Sequence, residues 1–157
     1  MANIKITELT ELAATPADGD LLEIVDGGTV SKKITVENLI NASSKKMGAF
    51  TYDVSTETGA VAIAGVGFKP SAIIFMGQID STVNWGFGLS DGITHGGIAK
   101  ITAAIVSTNT SAIRLFIDAG NHQIGVINSF DADGFTIGWT KTGSPTGTGY
   151  IKYLAFR

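Results

Sequence analysis

The sequence predicts a mainly β protein, with a small N-terminal module of one hairpin and a short helix followed by an antiparallel, jelly-roll-like β-sandwich. Three observations predict this division. Residues 1–47 hold 12 of the 25 charged side chains and only 3 of the 20 glycines. The later part consists of short apolar runs, and Gly, Pro, Asn, Asp or Ser separates one run from the next. We therefore expect a docking module at 1–47 and a β-sandwich domain at 48–157.

The N-terminal module is predicted from three consecutive patterns. Leu21 to Val25 is an apolar run, residues 26–28 (Asp-Gly-Gly) suit a tight hairpin turn, and Val30 to Ile34 is the return strand. Thr35 is predicted to cap a short amphipathic helix. About 45 residues without a disulfide or metal bury too little surface to fold well alone. The module is therefore predicted to dock on its own C-terminal domain, a sister subunit or another protein, through Leu22, Ile24, Val30, Ile34, Leu39 and Ile40.

Residues 41–48 (NASSKKMG) are small and polar and are predicted to form a linker. After it, nine short strands indicate a sandwich. In one of them Phe135, Ile137 and Trp139 alternate with Thr and Gly, which predicts one buried face. The strand at 71–78 (SAIIFMGQ) is apolar on both faces, which predicts the centre of a sheet or a subunit contact. The predicted strands are Phe50 to Val54, Ala60 to Ala64, Ser71 to Gln78, Trp85 to Leu89, Ile98 to Val106, Ala112 to Ile117, His122 to Ile127, Phe135 to Thr140 and Tyr150 to Phe156.

Charge and composition argue against several classes of partner. The net charge is −3 and no Lys/Arg stripe occurs, so nucleic acid is not expected to bind. No apolar run reaches the 18 or so residues of a membrane span, and the N-terminus lacks a signal-peptide pattern. We expect a protein that is made in the cytoplasm and does not insert into a membrane. Because the chain has no cysteine, neither disulfides nor thiolate metal sites are expected.

Candidate chemistry is sparse. His95 and His122 could join Asp80, Asp91 or Asp118 as a metal site or an acid/base pair, but neither histidine has a metal-ligand spacing partner. Both are interpreted as structural or solvated. No GxSxG motif or phosphate loop is present, and no Glu follows Glu57 to supply paired carboxylates. The sequence therefore predicts no enzymatic activity, no metal and no cofactor.

Two further segments allow a binding interpretation and a structural one. Residues 131–134 (Asp-Ala-Asp-Gly) resemble the start of a calcium loop but lack its late Glu, so a turn between strands is predicted. Trp85 and Phe87 alternate with glycines, as the rings of a sugar-binding platform would. The same spacing suits core positions beside a bulge, and we predict that these two rings belong to the core.

Residues 6–40, ITELTELAATPADGDLLEIVDGGTVSKKITVENLI, resemble the N-terminal segment of tailed-bacteriophage structural proteins. The stretches GVGFKPSAIIFMG (65–77), DGFTIGWTKTG (133–143) and GYIKYLAFR (149–157) are similar to a β-sandwich module of phage virion proteins.

The resemblance implies a virion protein, specifically a homotrimeric capsid decoration or head-fibre protein. Its N-terminal module would attach it to the major capsid protein or to another virion protein. The alternative is a short tail fibre or tail-tip protein whose sandwich binds a host receptor or glycan.

Overall fold

The computed structural model describes residues 21–26, 30–35, 44–80 and 82–157. The chain divides into two compact units, Met1–Ser44 and Lys45–Arg157. In the first, β1 (Leu21–Asp26) and β2 (Val30–Thr35) form a two-stranded antiparallel sheet. The predicted turn glycines at 27–28 and the predicted helix after Thr35 lie outside the described residues. The docking module as a whole therefore stays a prediction.

The second unit contains ten strands, and the described part of the chain includes no helix. The strands are β3 (Lys45–Asp53), β4 (Gly59–Ala64), β5 (Ala72–Ile79), β6 (Trp85–Ser90), β7 (His95–Ile101), β8 (Ala104–Thr108), β9 (Ile113–Phe116), β10 (His122–Asp131), β11 (Gly134–Thr142) and β12 (Thr148–Phe156). A mainly β fold is thus as the sequence predicts.

These ten strands form two antiparallel sheets. One has four strands in the order β4-β11-β10-β9, and the other has six in the order β3-β12-β5-β6-β7-β8. Consecutive strands are neighbours from β5 to β8 and from β9 to β11, while β12 inserts between β3 and β5. This order differs from a jelly roll, whose two Greek keys place strands that are distant in sequence beside each other. Hairpin neighbours predominate here because short turns join most of the strands.

Several strand boundaries differ from the prediction, and two of the differences change the predicted organisation. The segment Ile98 to Val106 is two strands, because the chain reverses at Thr102, which has a left-handed φ of 54°. No glycine, proline or asparagine marks this turn. Instead the Thr102 amide donates a hydrogen bond of 2.7 Å to Oδ1 of Asn84, a residue 18 positions earlier. In addition, β3 begins at Lys45, so residues 45–48 of the predicted linker are strand.

The core lies between the two sheets and is rich in aromatic rings. Phe135 of β11 makes edge contacts with Phe75 of β5 and Tyr153 of β12, with centroid distances of 5.6 and 5.2 Å. Tyr52 of β3 stacks on Trp139 of β11 at 4.2 Å. The alternation that predicts one buried face on β11 is confirmed, since Phe135, Ile137 and Trp139 are at most 1% exposed. The unit is a β-sandwich with a closed interior.

Candidate functional site

The six-stranded sheet has an apolar surface on the side away from the core, which we call the outer face. Seven of the nine large apolar side chains that are exposed among the described residues occupy it. They are Met47, Met76, Phe87, Leu89, Ile98, Ile105 and Tyr150. The partly buried Ile74, Trp85 and Leu154 alternate in the same phase along their strands. An apolar surface that extends across six strands is unusual for a sheet that faces water.

The outward position of the β6 side chains follows from its two glycines. A Cβ atom on Gly86 would collide with the carbonyl oxygen of Arg114, and one on Gly88 with that of Ala112. The backbone of β9 therefore passes directly beneath β6, and only glycine leaves room for it. Because side chains alternate along a strand, Trp85 and Phe87 point away from the core.

The prediction that Trp85 and Phe87 are core residues is therefore wrong. Phe87 is 42% exposed and Trp85 is partly exposed, while Gly86 and Gly88 are buried. The signal in the sequence is the strict alternation of small and large residues in WGFGLS. This alternation shows that one side of the strand has no room for side chains. It does not show whether that side faces the core or the solvent.

Strand register makes the outer face continuous. Phe87 lies directly opposite Met76 on one side and Ile98 on the other, and Ile74 lies opposite both Leu89 and Leu154. Directly opposite residues have Cβ atoms about 4.5–5.5 Å apart, so these side chains touch their neighbours. The strand at 71–78 is predicted from its two apolar faces to lie at the centre of a sheet or under a subunit contact, and it does lie at the centre, because β5 is between β12 and β6.

The charged groups of the outer face lie outside its two central strands, β5 and β6, and include Lys45 and Asp53 on the edge strand β3. The outward positions of β5 and β6 carry no charge, whereas Lys152 lies on β12 and Lys100 on β7. Lys100 Nζ donates to the carbonyl oxygen of Val83 at 3.3 Å. Beside Lys152 is a shallow pocket of about 480 Å³ with Thr51, Gln78, Tyr150 and Met76 in its lining. The face thus combines an uncharged centre with margins that carry polar groups and charges of both signs.

The two histidines occupy structural environments. The Oγ of Ser90 is 2.8 Å from Nδ1 of His95 and accepts a hydrogen bond from the Gly92 amide, so this pair braces the β6–β7 turn. Ser90 is only 1% exposed, which leaves its hydroxyl inaccessible to a substrate. His122 stacks on Phe116 with a centroid distance of 4.6 Å, and burial lowers its pKa.

The aspartates serve turns and loop contacts. Asp91 accepts hydrogen bonds from the Ile93 and Thr94 amides, and these bonds lower its pKa. Asp133 lies in the β10–β11 turn predicted at 131–134, and its carboxylate accepts from the Gly65 and Gly67 amides at 3.1 and 2.5 Å. Within the described residues no three His, Cys, Asp or Glu side chains form a group that could hold a metal ion.

The predicted docking residues are only partly within the described backbone. Leu22 lies opposite Ile34 in the β1–β2 register, Ile24 lies opposite Lys32, and Val30 lies opposite Asp26. The remaining two, Leu39 and Ile40, lie outside the described residues. Their docking role stays a prediction.

Comparison with known proteins finds no matching family model, no matching curated protein and no matching solved structure. Among the described residues no helix is long and apolar enough to cross a membrane.

Proposed function

We propose that this chain is a non-enzymatic structural protein of a tailed-bacteriophage particle, specifically a capsid decoration or head-fibre protein of the virion. The observation that carries the structural role is the outer face, a broad apolar surface built on a rigid sheet. Surfaces of this kind mark protein contacts, whereas catalytic sites are concave and bring titratable groups together. The assignment to a phage particle is supported by the sequence resemblance at residues 6–40.

In this proposal the two parts of the chain have different tasks. Residues 1–47 attach the protein to the major capsid protein or another virion protein through Leu22, Ile24, Val30, Ile34, Leu39 and Ile40. The sandwich supplies the contact surface of the outer face. Burying one aliphatic side chain contributes roughly 1.5–3 kcal/mol, so six can offset the cost of association, which is about 4–15 kcal/mol.

The test adds purified full-length protein to particles that lack it and counts the copies that sediment with the particles. The wild-type chain is expected to bind at a saturating copy number. The Ile24→Asp, Leu39→Asp double variant is expected to lose binding. The control, Ser31→Asp with Asn38→Asp, places the same two charges at polar positions of the module and is expected to bind normally. Wild-type protein that stays in the supernatant would refute the proposal.

A second candidate function is the recognition of a host receptor or glycan by a tail-fibre or tail-tip protein. Two exposed rings on the outer face favour it, those of Phe87 and Tyr150, at 42% and 47% exposure. The shallow pocket beside Tyr150 adds the amide of Gln78 and the ammonium group of Lys152 as hydrogen-bonding groups. Saturable binding to one saccharide on a glycan array, abolished by Tyr150→Ala, would favour this function over the capsid role.

A further inference from the structure

We infer that the outer face is a two-fold interface between copies of this chain, in which the outer face of one copy packs against the outer face of another; this contact pairs copies, whereas the homotrimer that the resemblance implies would need a different one. This inference rests on the proposed structural role, because it names the partner of the same surface. Three observations carry it: the size of the apolar surface, the distribution of charge on it and the independence of the sandwich core from it.

The exposed area matches what a stable protein interface requires. Met47, Met76 and Leu89 are 74%, 57% and 50% exposed, and four more large side chains of the face are between 41% and 69% exposed. Together the seven expose roughly 700 Å², more than the 300–600 Å² of the largest apolar patch on a typical monomer. A standard interface buries about 800 Å² on each partner. One copy of the outer face therefore supplies nearly a complete half-interface.

The charge distribution favours an identical partner. No charged residue faces outward from β5 or β6, so the centre of the face provides no ion-pair partner for a charged protein surface. An uncharged apolar centre is complementary to itself. Lys100 and Lys152 on the two flanking strands, with Lys45 and Asp53 on the edge strand β3, place the charged groups around this centre. This arrangement of an apolar centre and a polar rim is typical of protein interfaces, in which Met and aromatic residues are enriched.

The sandwich core does not explain why the outer face is apolar, because the outward side chains are not part of that core. The inward residues of β5, Ile73 and Phe75, are at most 1% exposed and pack between the sheets. The outward residues Ile74 and Met76 make no part of that core. A one-sided antiparallel sheet normally alternates apolar and polar residues. A second copy that covers the outward side of β5 explains why the residues on that side are apolar.

The test compares full-length wild-type protein with two double variants by sedimentation velocity. Met76→Asp with Leu89→Asp places charges at the centre of the outer face. Ala62→Asp with Thr140→Asp places the same charges at exposed strand positions of the other sheet. Wild type is expected to be oligomeric above about 10 µM, the weak end of the range for interfaces of this size. The outer-face variant is expected to associate at least 100-fold more weakly, while the control keeps the wild-type mass.

A second readout needs no substitution. Trp85 lies on the outer face and is partly exposed, whereas Trp139 is 1% exposed in the core. Iodide quenching of the Trp85 fluorescence is expected to decrease as the concentration of wild-type protein rises through the association range. Quenching that does not change with concentration would contradict the inference even if the outer-face variant failed to fold.

The remaining outcomes separate this inference from the proposed function. A wild-type protein that is monomeric at all concentrations overturns the inference, as does an outer-face variant that keeps the wild-type mass. A monomeric protein that binds a saccharide through Tyr150 also overturns it and assigns the face to a glycan. Because sedimentation of purified protein involves no particles, failure to attach to a virion would leave the measured self-association intact.

Discussion

Substitution of Gly88 by alanine tests the reason why the aromatic side chains of β6 point outward. The added Cβ would overlap the carbonyl oxygen of Ala112, the residue before β9, and lie 2.9 Å from that of Gly96 on β7. The added Cβ would therefore be closer to both oxygens than the roughly 3.5–4.0 Å at which non-bonded heavy atoms pack favourably. Overpacking a core usually costs about 1–3 kcal/mol. We expect about 3 kcal/mol here, because the obstacle is backbone and cannot rotate away.

Urea denaturation of the full-length protein, followed by circular dichroism, measures this loss. A thermal melt of the same variant is expected to show a drop in melting temperature of roughly 10 °C. The control is Gly96→Ala, at an outward position of β7, where the nearest atom to the added Cβ is the Thr108 oxygen at 3.8 Å. That variant is expected to be within about 0.5–1 kcal/mol of wild type. Equal stabilities for the two alanine variants would show that β9 does not press against β6.

Three other predictions concern the turns and the histidine. Thr102→Gly is expected to stabilise the protein by up to about 1 kcal/mol, because it relieves a β-branched residue at positive φ; a decrease in the urea midpoint would contradict this. Asp133→Ala is expected to cost about 0.5–1.5 kcal/mol, because the exposed Gly65 and Gly67 amides lose this acceptor but can bond to water, as thermal unfolding will show. The pKa of His122 is lowered from its ordinary value of 6.5, so the unfolded state binds its proton more readily. The unfolding free energy should therefore fall as the pH drops below about 6.5, and His122→Gln should flatten the pH profile in that range.

Some features of the fold could be predicted because they depend on local patterns. The alternation of Phe135, Ile137 and Trp139 with small polar residues fixes one buried face on β11, whatever that strand pairs with. The apolar residues on both faces of the strand at 71–78 likewise predict a cover on each face, and the described residues cover only the face toward the core. Asp, Gly and Asn between the runs predict most turns, since these residues tolerate turn geometry locally.

Other features depended on contacts between residues far apart in sequence. The turn at Thr102 has no local signal, because its amide is held by Asn84. The sequence showed that Trp85 and Phe87 alternate with glycines, and it favoured the core for the rings.

Only the tertiary structure decided that Gly86 and Gly88 face inward. They do so because the backbone at β9 lies beneath them, and β9 follows them in the sequence by more than 20 residues. Period-two alternation is symmetric between the two faces of a sheet, so it cannot say which face is covered. The sequence alone determined that this protein is built from strands, some with one apolar side and some with two. The packing of β9 under β6 determined which side faces the core and which side is left for another molecule.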